Sequence, residues 1–206
     1  MYYLVYNVFM KTETRGRPKT FDELEALTAA MHYFWNHGYD NTSLDNLLEA
    51  MQIKKSSFYA TFKSKEAIFS KSLVLYRESM LAQLNKLNKE IGPKQTLLTL
   101  TDMIINELQE SGKVKGCLLV NSGQECYKKY SQLSEQIALE FGFFQDIFTT
   151  FVREGQRKKE ILNPKDAKKI SGRYMNTLNG LIVSIQAGIT DEQIDNIIES
   201  LNEILE

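Results

Sequence analysis

Residues 42–69, TSLDNLLEAMQIKKSSFYATFKSKEAIF, constrain what this chain can fold into more than any other stretch. Leu44, Leu47, Leu48 and Met51 recur at helical spacing, and Phe58 and Phe62 do the same. The segment therefore reads as two short helices around a four-residue turn, with a third starting after Ser64. Its lysines crowd at helix beginnings. Lys54 and Lys55 open the second helix, and Lys65 follows Ser64, a good N-cap. A helix N-terminus already carries partial positive charge, so cations there are disfavoured unless something negative offsets them. Backbone N–H groups at a helix start, joined by lysines and by the hydroxyls of Ser56, Ser57, Tyr59 and Thr61, suit phosphate oxygens and base edges. A DNA-binding element is expected.

The run IKKSSFYATFKSKEAIF, with Tyr59, Phe62, Lys65 and Glu66 in the matching places, resembles the recognition-helix signature of the TetR family of bacterial transcriptional regulators. The resemblance is close over residues 16–75. Beyond it, GCLLVNSGQE at 116–125 is similar to a GCLLVN-type regulatory-domain subgroup, and the rest matches by helical pattern alone. The resemblance implies an all-α fold, with an N-terminal three-helix helix-turn-helix DNA-binding domain and a C-terminal helical regulatory and dimerisation domain. The expected division is an N-terminal extension at 1–15, disordered, then the DNA-binding domain at 16–64 and the regulatory domain at 65–206. It further implies a homodimer on double-stranded operator DNA, repression released by a small-molecule effector, no cofactor, no metal and a cytoplasmic location. Two positions depart from the family pattern. Gln52 stands where the family usually has Gly, so a positive φ there would cost roughly 1 kcal/mol. Lys54 replaces the small capping residue that often precedes the recognition helix, which reads as a weaker cap exchanged for phosphate affinity.

On this reading Lys65 and the helix start at Ser64 face phosphate, as Tyr59 chiefly does, while Ser57 and Thr61 lie nearer the base edges. Lys54, Lys55, Ser56 and Ala60 complete that face. Thr42 and Ser43 approach the DNA backbone from the other side of the turn. Arg15 and Arg17, in the preceding arm, reach a phosphate or the minor groove. The bland alternatives are that Lys63 and Lys71 are only solvated and that Tyr59 covers the small core.

Charge agrees with this. The formal net charge of −1 hides an asymmetry: residues 11–19 carry four basic side chains against Glu13, and residues 54–71 carry five lysines against Glu66. The remainder is acidic, which suits a second domain that stays off the DNA backbone. With 206 residues, 43% hydrophobic and 25% charged, the chain can bury a substantial core. The two cysteines, Cys117 and Cys126, have neither ligand nor redox spacing and read as small buried apolar side chains in a reducing cytoplasm, with a redox-responsive regulator as the rival. Residues 1–10, MYYLVYNVFM, are too short to span a bilayer. Met10 is expected to be the natural start, with the leading peptide a translation-start error or a disordered extension.

The pattern is helical throughout. Thr20 and Glu23 form a capping box for a first helix ending at Gly38, Thr42 caps the second, and a long helix runs from Lys65 to Gly92 and Pro93. Further helices are expected at 96–110, 116–129, 131–159, 164–187 and 191–205. In the last two, Tyr174, Leu178, Leu181, Ile185, Ile194, Ile197 and Leu201 make apolar stripes that either bury each other within one subunit or form a dimer interface; Gly172, Gly180 and Ser184 permit close helix approach. Met103, Tyr127, Phe141, Phe144, Phe148, Tyr174 and Met175 supply surface for a ligand pocket, or fill a core. Lys and Arg are sparse between residues 118 and 147, against a strongly anionic effector. The two histidines, His32 and His37, face different directions on one helix, and no glycine-rich phosphate loop is present, so no enzyme is expected. A ligand-independent helical adaptor or protein-interaction module is the remaining alternative.

Overall fold

Aspartate, serine, glycine and proline set the helix limits along the chain. The computed structural model describes residues 21–206, and among these it contains nine α-helices and no strand. The expectations for residues 1–15, Met10, Arg15, Arg17 and Thr20 lie outside the described residues. Helix α1 (Glu23–His37) is capped by Asp22, whose carboxylate accepts from the N–H groups of Leu24 and Glu25 at 2.8 and 3.0 Å. Asp22 thus stands at the N-cap, two residues after the Thr20 expected there, and a carboxylate placed against the first free N–H groups also satisfies the positive end of the helix. Gly38 ends α1 at φ +80.

Helix α2 (Leu44–Met51) is capped by Ser43, not Thr42. Ser43 Oγ accepts from Asn46 N–H at 3.1 Å while Asn46 Oδ1 accepts from Ser43 N–H at 3.0 Å, a reciprocal pair that satisfies two free donors. Thr42 is instead turned inward, fully buried, its hydroxyl donating to Gly38 C=O at 2.6 Å. After α2 the chain reverses at Gln52, which has φ 54 and ψ 37. The left-handed turn expected for this position is present, with a side chain where glycine would be unstrained.

Helix α3 (Lys55–Thr61) begins at Lys54, which makes no side-chain cap, as its lack of an acceptor requires. Ser64 caps α4 (Lys65–Ile91) through Ala67 N–H, and Gly92 with Pro93 ends it and starts α5 (Pro93–Ser111). Then follow α6 (Leu118–Cys126), α7 (Ser131–Lys158), α8 (Ala167–Gln186, capped by Asp166) and α9 (Asp191–Ile204, capped by a Thr190–Gln193 box).

Helices α1 to α3 close on the first turns of α4 around Phe34, Leu47, Phe58, Phe62, Ile68 and Phe69, all essentially inaccessible. Phe34 meets Phe69 edge-on at 4.8 Å. The later turns of α4 pack on α5, α6 and α7, while α8 lies between α7 and α9. One continuous apolar core runs from Ala26 in α1 to Leu205 after α9, so the head formed by α1–α3 and the body behind it share buried surface through α4. Among the described residues no helix is long and apolar enough to cross a membrane.

Candidate nucleic-acid interface

Two aromatic anchors decide which way α3 faces. Phe58 and Phe62 lie one turn apart and are buried in the head, each contributing about 1.5–3 kcal/mol to holding the helix. The opposite face is consequently presented to solvent. Lys54, Lys55, Ser56, Tyr59, Ala60 and Lys63 are exposed there, and Ser57 and Thr61 are half-buried at its edges. Tyr59 is 49% exposed, its ring edge-on to Phe58 at 5.6 Å, so it lies over the rim of the core with its hydroxyl outward. The polar face of one short helix thus gathers two lysines at its start, hydroxyls at its flanks and an aromatic donor at its centre. No acid lies in its first turn.

Three expected contacts are placed differently. The Thr42 hydroxyl is spent on Gly38 C=O within the buried loop and has no route to a DNA backbone. Ser43 is exposed, but its hydroxyl both accepts from Asn46 N–H and donates to Asn46 Oδ1 at 2.6 Å. Lys65 turns inward. Its Nζ donates to the carbonyls of Tyr39 at 2.9 Å and Thr42 at 3.0 Å and sits 4.2 Å from the centre of the Tyr39 ring. A lysine at a helix N-terminus is electrostatically unfavourable on the helix axis, and the two carbonyls at the end of the α1–α2 loop supply the compensating negative ends.

Residues from the body meet the same loop. Glu125, in the last turn of α6, accepts from Tyr39 N–H through Oε2 and from Asp40 N–H through Oε1, both at 2.7 Å. Asp40 in turn accepts from Lys129 Nζ at 2.7 Å and from the Tyr130 hydroxyl at 2.6 Å. Those two hydrogen bonds hold the Asp40 carboxyl below its ordinary range and raise both partners. Burial pushes Tyr39 up to about 12 and the Cys126 thiol up to about 11. Nearby, Trp35 Nε1 donates to Gly116 C=O at 2.9 Å, with Lys115 Nζ 4.2 Å above the indole ring. None of these head-to-body contacts is visible in sequence spacing, since the partners stand 80 to 90 residues apart.

The residues expected in a ligand pocket do not all come together. Phe148 and Tyr174 meet between α7 and α8, where the Tyr174 hydroxyl donates to Leu97 C=O, while the buried Phe144 meets Tyr76 of α4, and Met103, Phe141 and Met175 are half-buried. Tyr127 is 66% exposed at the end of α6, away from that core, because its helix stops one residue earlier. A surface cleft of about 500 Å³ lies elsewhere, lined by Arg153, Gln156, Leu162 and Lys165 among others, and takes none of the expected residues. In α8 and α9, Tyr174, Leu181 and Leu201 are wholly buried within the subunit, and Leu178, Ile185 and Ile194 nearly so. Their apolar surface is already used by α5, α7 and the α8–α9 pair. Ile197 is half-buried, Asn176 and Gly180 are exposed on the outward side of α8, and Ala187 is exposed just past its end. His37 is bound to Tyr33 C=O at 2.9 Å and stacked on the Tyr33 ring, while His32 stacks on Trp35.

A family model described as bacterial regulatory proteins, tetR family, matches residues 26–71, which span α1 to the start of α4. The HTH-type transcriptional repressor ComR of Escherichia coli (strain K12) is 26% identical over 184 residues, covering 88% of this chain and 88% of that protein. A cysteine mutant of the TetR family transcriptional regulator CifR, solved with 26-base-pair double-strand operator DNA, is 25% identical with a TM-score of 0.73, covering 91% of this chain and 98% of that one. The regulatory protein TetR from Rhodobacter sphaeroides is 19% identical with a TM-score of 0.76, over 89% and 98%, a likeness of fold.

Proposed function

Because this chain belongs to the TetR family of bacterial regulatory proteins, we propose that it is a DNA-binding transcriptional repressor that reads a near-palindromic operator with α3 as a homodimer. The observation that carries this is the outward face of α3: Lys54, Lys55, Ser56, Tyr59 and Ala60 exposed on a helix pinned by Phe58 and Phe62. Lys54, Lys55 and Tyr59 take phosphates, Ser57 and Thr61 approach base edges in the major groove, and the exposed Ser43 backbone region meets the adjacent strand. Residues 16–64 then form the reading domain and residues 65–206 the regulatory and dimerisation domain. Two such heads, related by a two-fold axis, address two half-sites about one helical turn apart.

The dimer forms through the outward side of α8, the Ala187 turn after it and α9, where Asn176, Gly180, Ala187 and Ile197 remain available. The buried members of the expected stripe support that surface from beneath. Release follows from population shift: a small molecule that binds the aromatic region between α7 and α8 better when the heads are wrongly spaced weakens DNA binding by its differential affinity. Selection of duplexes from a random pool by the full-length chain tests the reading. Enrichment of an inverted repeat supports it, and recovery of no common sequence contradicts it.

A further inference from the structure

The loop over residues 38–42 joins α1 to α2 and is gripped from two sides. Lys65 holds it from within the head, at the Tyr39 and Thr42 carbonyls. Glu125 holds it from the body. The two carboxylate oxygens take the N–H groups of consecutive residues, Tyr39 and Asp40, one each at 2.7 Å. Charge-assisted hydrogen bonds of this length are the stronger kind, and a two-point grip fixes an angle as well as a distance. The backbone is shaped to admit it: Gly38 has φ +80, and a Cβ at that position would lie 3.0 Å from both Glu125 oxygens. Asp40 carries the contact onward to Lys129 and Tyr130, and the Tyr130 ring meets the Tyr39 ring edge-on at 5.0 Å. The loop is thereby tied to α6 and to the turn after it at several points, and α6 packs on α7 and α4.

We propose that Glu125 is a positioning residue for DNA reading, setting the angle of α2–α3 to the body and hence the distance between the two α3 helices of the dimer. The inference rests on the dimeric DNA-binding function proposed above. Glu125 lies on α6, remote from the outward face of α3, and acts through the α1–α2 loop alone. A dimer gains affinity from its second half-site only when both heads fit at once, so loosening one angle widens the spacings it accepts and weakens its preference for the correct one. Lengthening the separation by one base pair moves a half-site by about 3.4 Å and rotates it about the duplex axis, which a rigid pair of heads rejects.

The test uses the full chain with Glu125→Ala and Glu125→Gln, titrated by fluorescence anisotropy onto three duplexes. These are the inverted repeat selected from a random pool by the wild-type chain, the same repeat lengthened by one base pair between half-sites, and a single half-site. In Glu125→Ala the ratio of affinities for the selected over the lengthened duplex should fall by about tenfold, with half-site affinity unchanged within about twofold. Glu125→Gln keeps the shape and one acceptor but loses the other, so it should show the same change to a smaller degree; it also carries the test if the alanine variant does not fold. An unchanged ratio in both variants overturns the proposal. Equal losses on all three duplexes, the half-site included, overturn it too, because Glu125 would then only stabilise the head. A wild-type chain that selects no duplex overturns the DNA-binding function and this inference with it, an outcome visible in the wild-type arm alone.

Discussion

Replacing Lys65 by alanine removes an ammonium that donates to two loop carbonyls at 2.9 and 3.0 Å and lies 4.2 Å from the Tyr39 ring centre. A hydrogen bond to a charged group contributes about 1.5–3 kcal/mol, and a partly exposed cation over an aromatic ring about 0.5–1 kcal/mol. Those figures do not add, since both carbonyls share one ammonium and water can reach a half-buried site once the side chain is cut. The expected loss is about 2–3 kcal/mol. Lys65→Met keeps the alkyl stem and removes only the charge, so it should recover less than half of that loss. Urea denaturation followed by circular dichroism measures both, with the slope m unchanged if only stability moves. Duplex titrations across salt concentrations give an independent reading. An ammonium turned onto carbonyls releases no phosphate counterion, so the salt slope should match the wild type whatever happens to affinity. A stability loss under about 0.5 kcal/mol together with a slope flattened by about one unit would refute the inward assignment and return Lys65 to the phosphate.

Gln52→Gly relieves a left-handed conformation at φ 54 costing about 1–2 kcal/mol, against about 0.5–1 kcal/mol of added unfolded-chain freedom. The urea midpoint should rise slightly, and a fall would mean that the Gln52 side chain stabilises the turn. Gly180→Arg, on the open side of α8, should convert dimer to monomer in sedimentation while leaving the helix content intact, whereas Leu181→Arg, wholly buried within the subunit, should unfold the body. A folded, dimeric Gly180→Arg protein would place the interface elsewhere. The Asp40 carboxyl is held low by Lys129 and Tyr130, so its contribution to stability is present above the ordinary carboxylate range near about pH 4 and lost as pH falls through its native value. Asp40→Asn should be less stable than wild type at neutral pH, with the two curves converging in acid; a gap that persists to about pH 2 would show that the ionised carboxyl is not what ties the loop to Lys129 and Tyr130.

Much of this architecture could be read from the chain because its punctuation is chemically unambiguous. Gly92 with Pro93 ends one helix and begins another, and Gly38 and Gly112 close two more, since few residues other than glycine adopt their conformations without strain. The left-handed turn at Gln52 was legible only through the family resemblance, which places a glycine there. Caps were less so: Thr42 and Ser43 carry the same hydroxyl, and only the inward turn of Thr42 against Gly38 decides which of them serves α2. The stripe on α8 shows the limit most clearly. Tyr174 and Leu181 have the spacing of an interface, but spacing cannot say whether the partner helix belongs to the same subunit, and in the structure it does. The grip of Glu125 on Tyr39 and Asp40 leaves no local signal at all, because it depends on α6 being carried against the α1–α2 loop by the packing of α4 and α7.

The salt dependence of duplex binding by the wild-type chain, set beside Lys55→Ala with Tyr59→Ala, tests the central claim most directly. Both side chains are exposed on α3, and of the two anchors only Phe58 loses a contact, the edge of the Tyr59 ring, so their removal should leave the fold intact and lower the melting temperature only slightly. The account predicts that log affinity falls linearly with log salt in the wild type, and that the double substitution weakens binding and flattens that slope by roughly one unit for the lost lysine contact. Unchanged affinity and slope in a folded double variant would contradict the assignment of α3 as the DNA-reading helix.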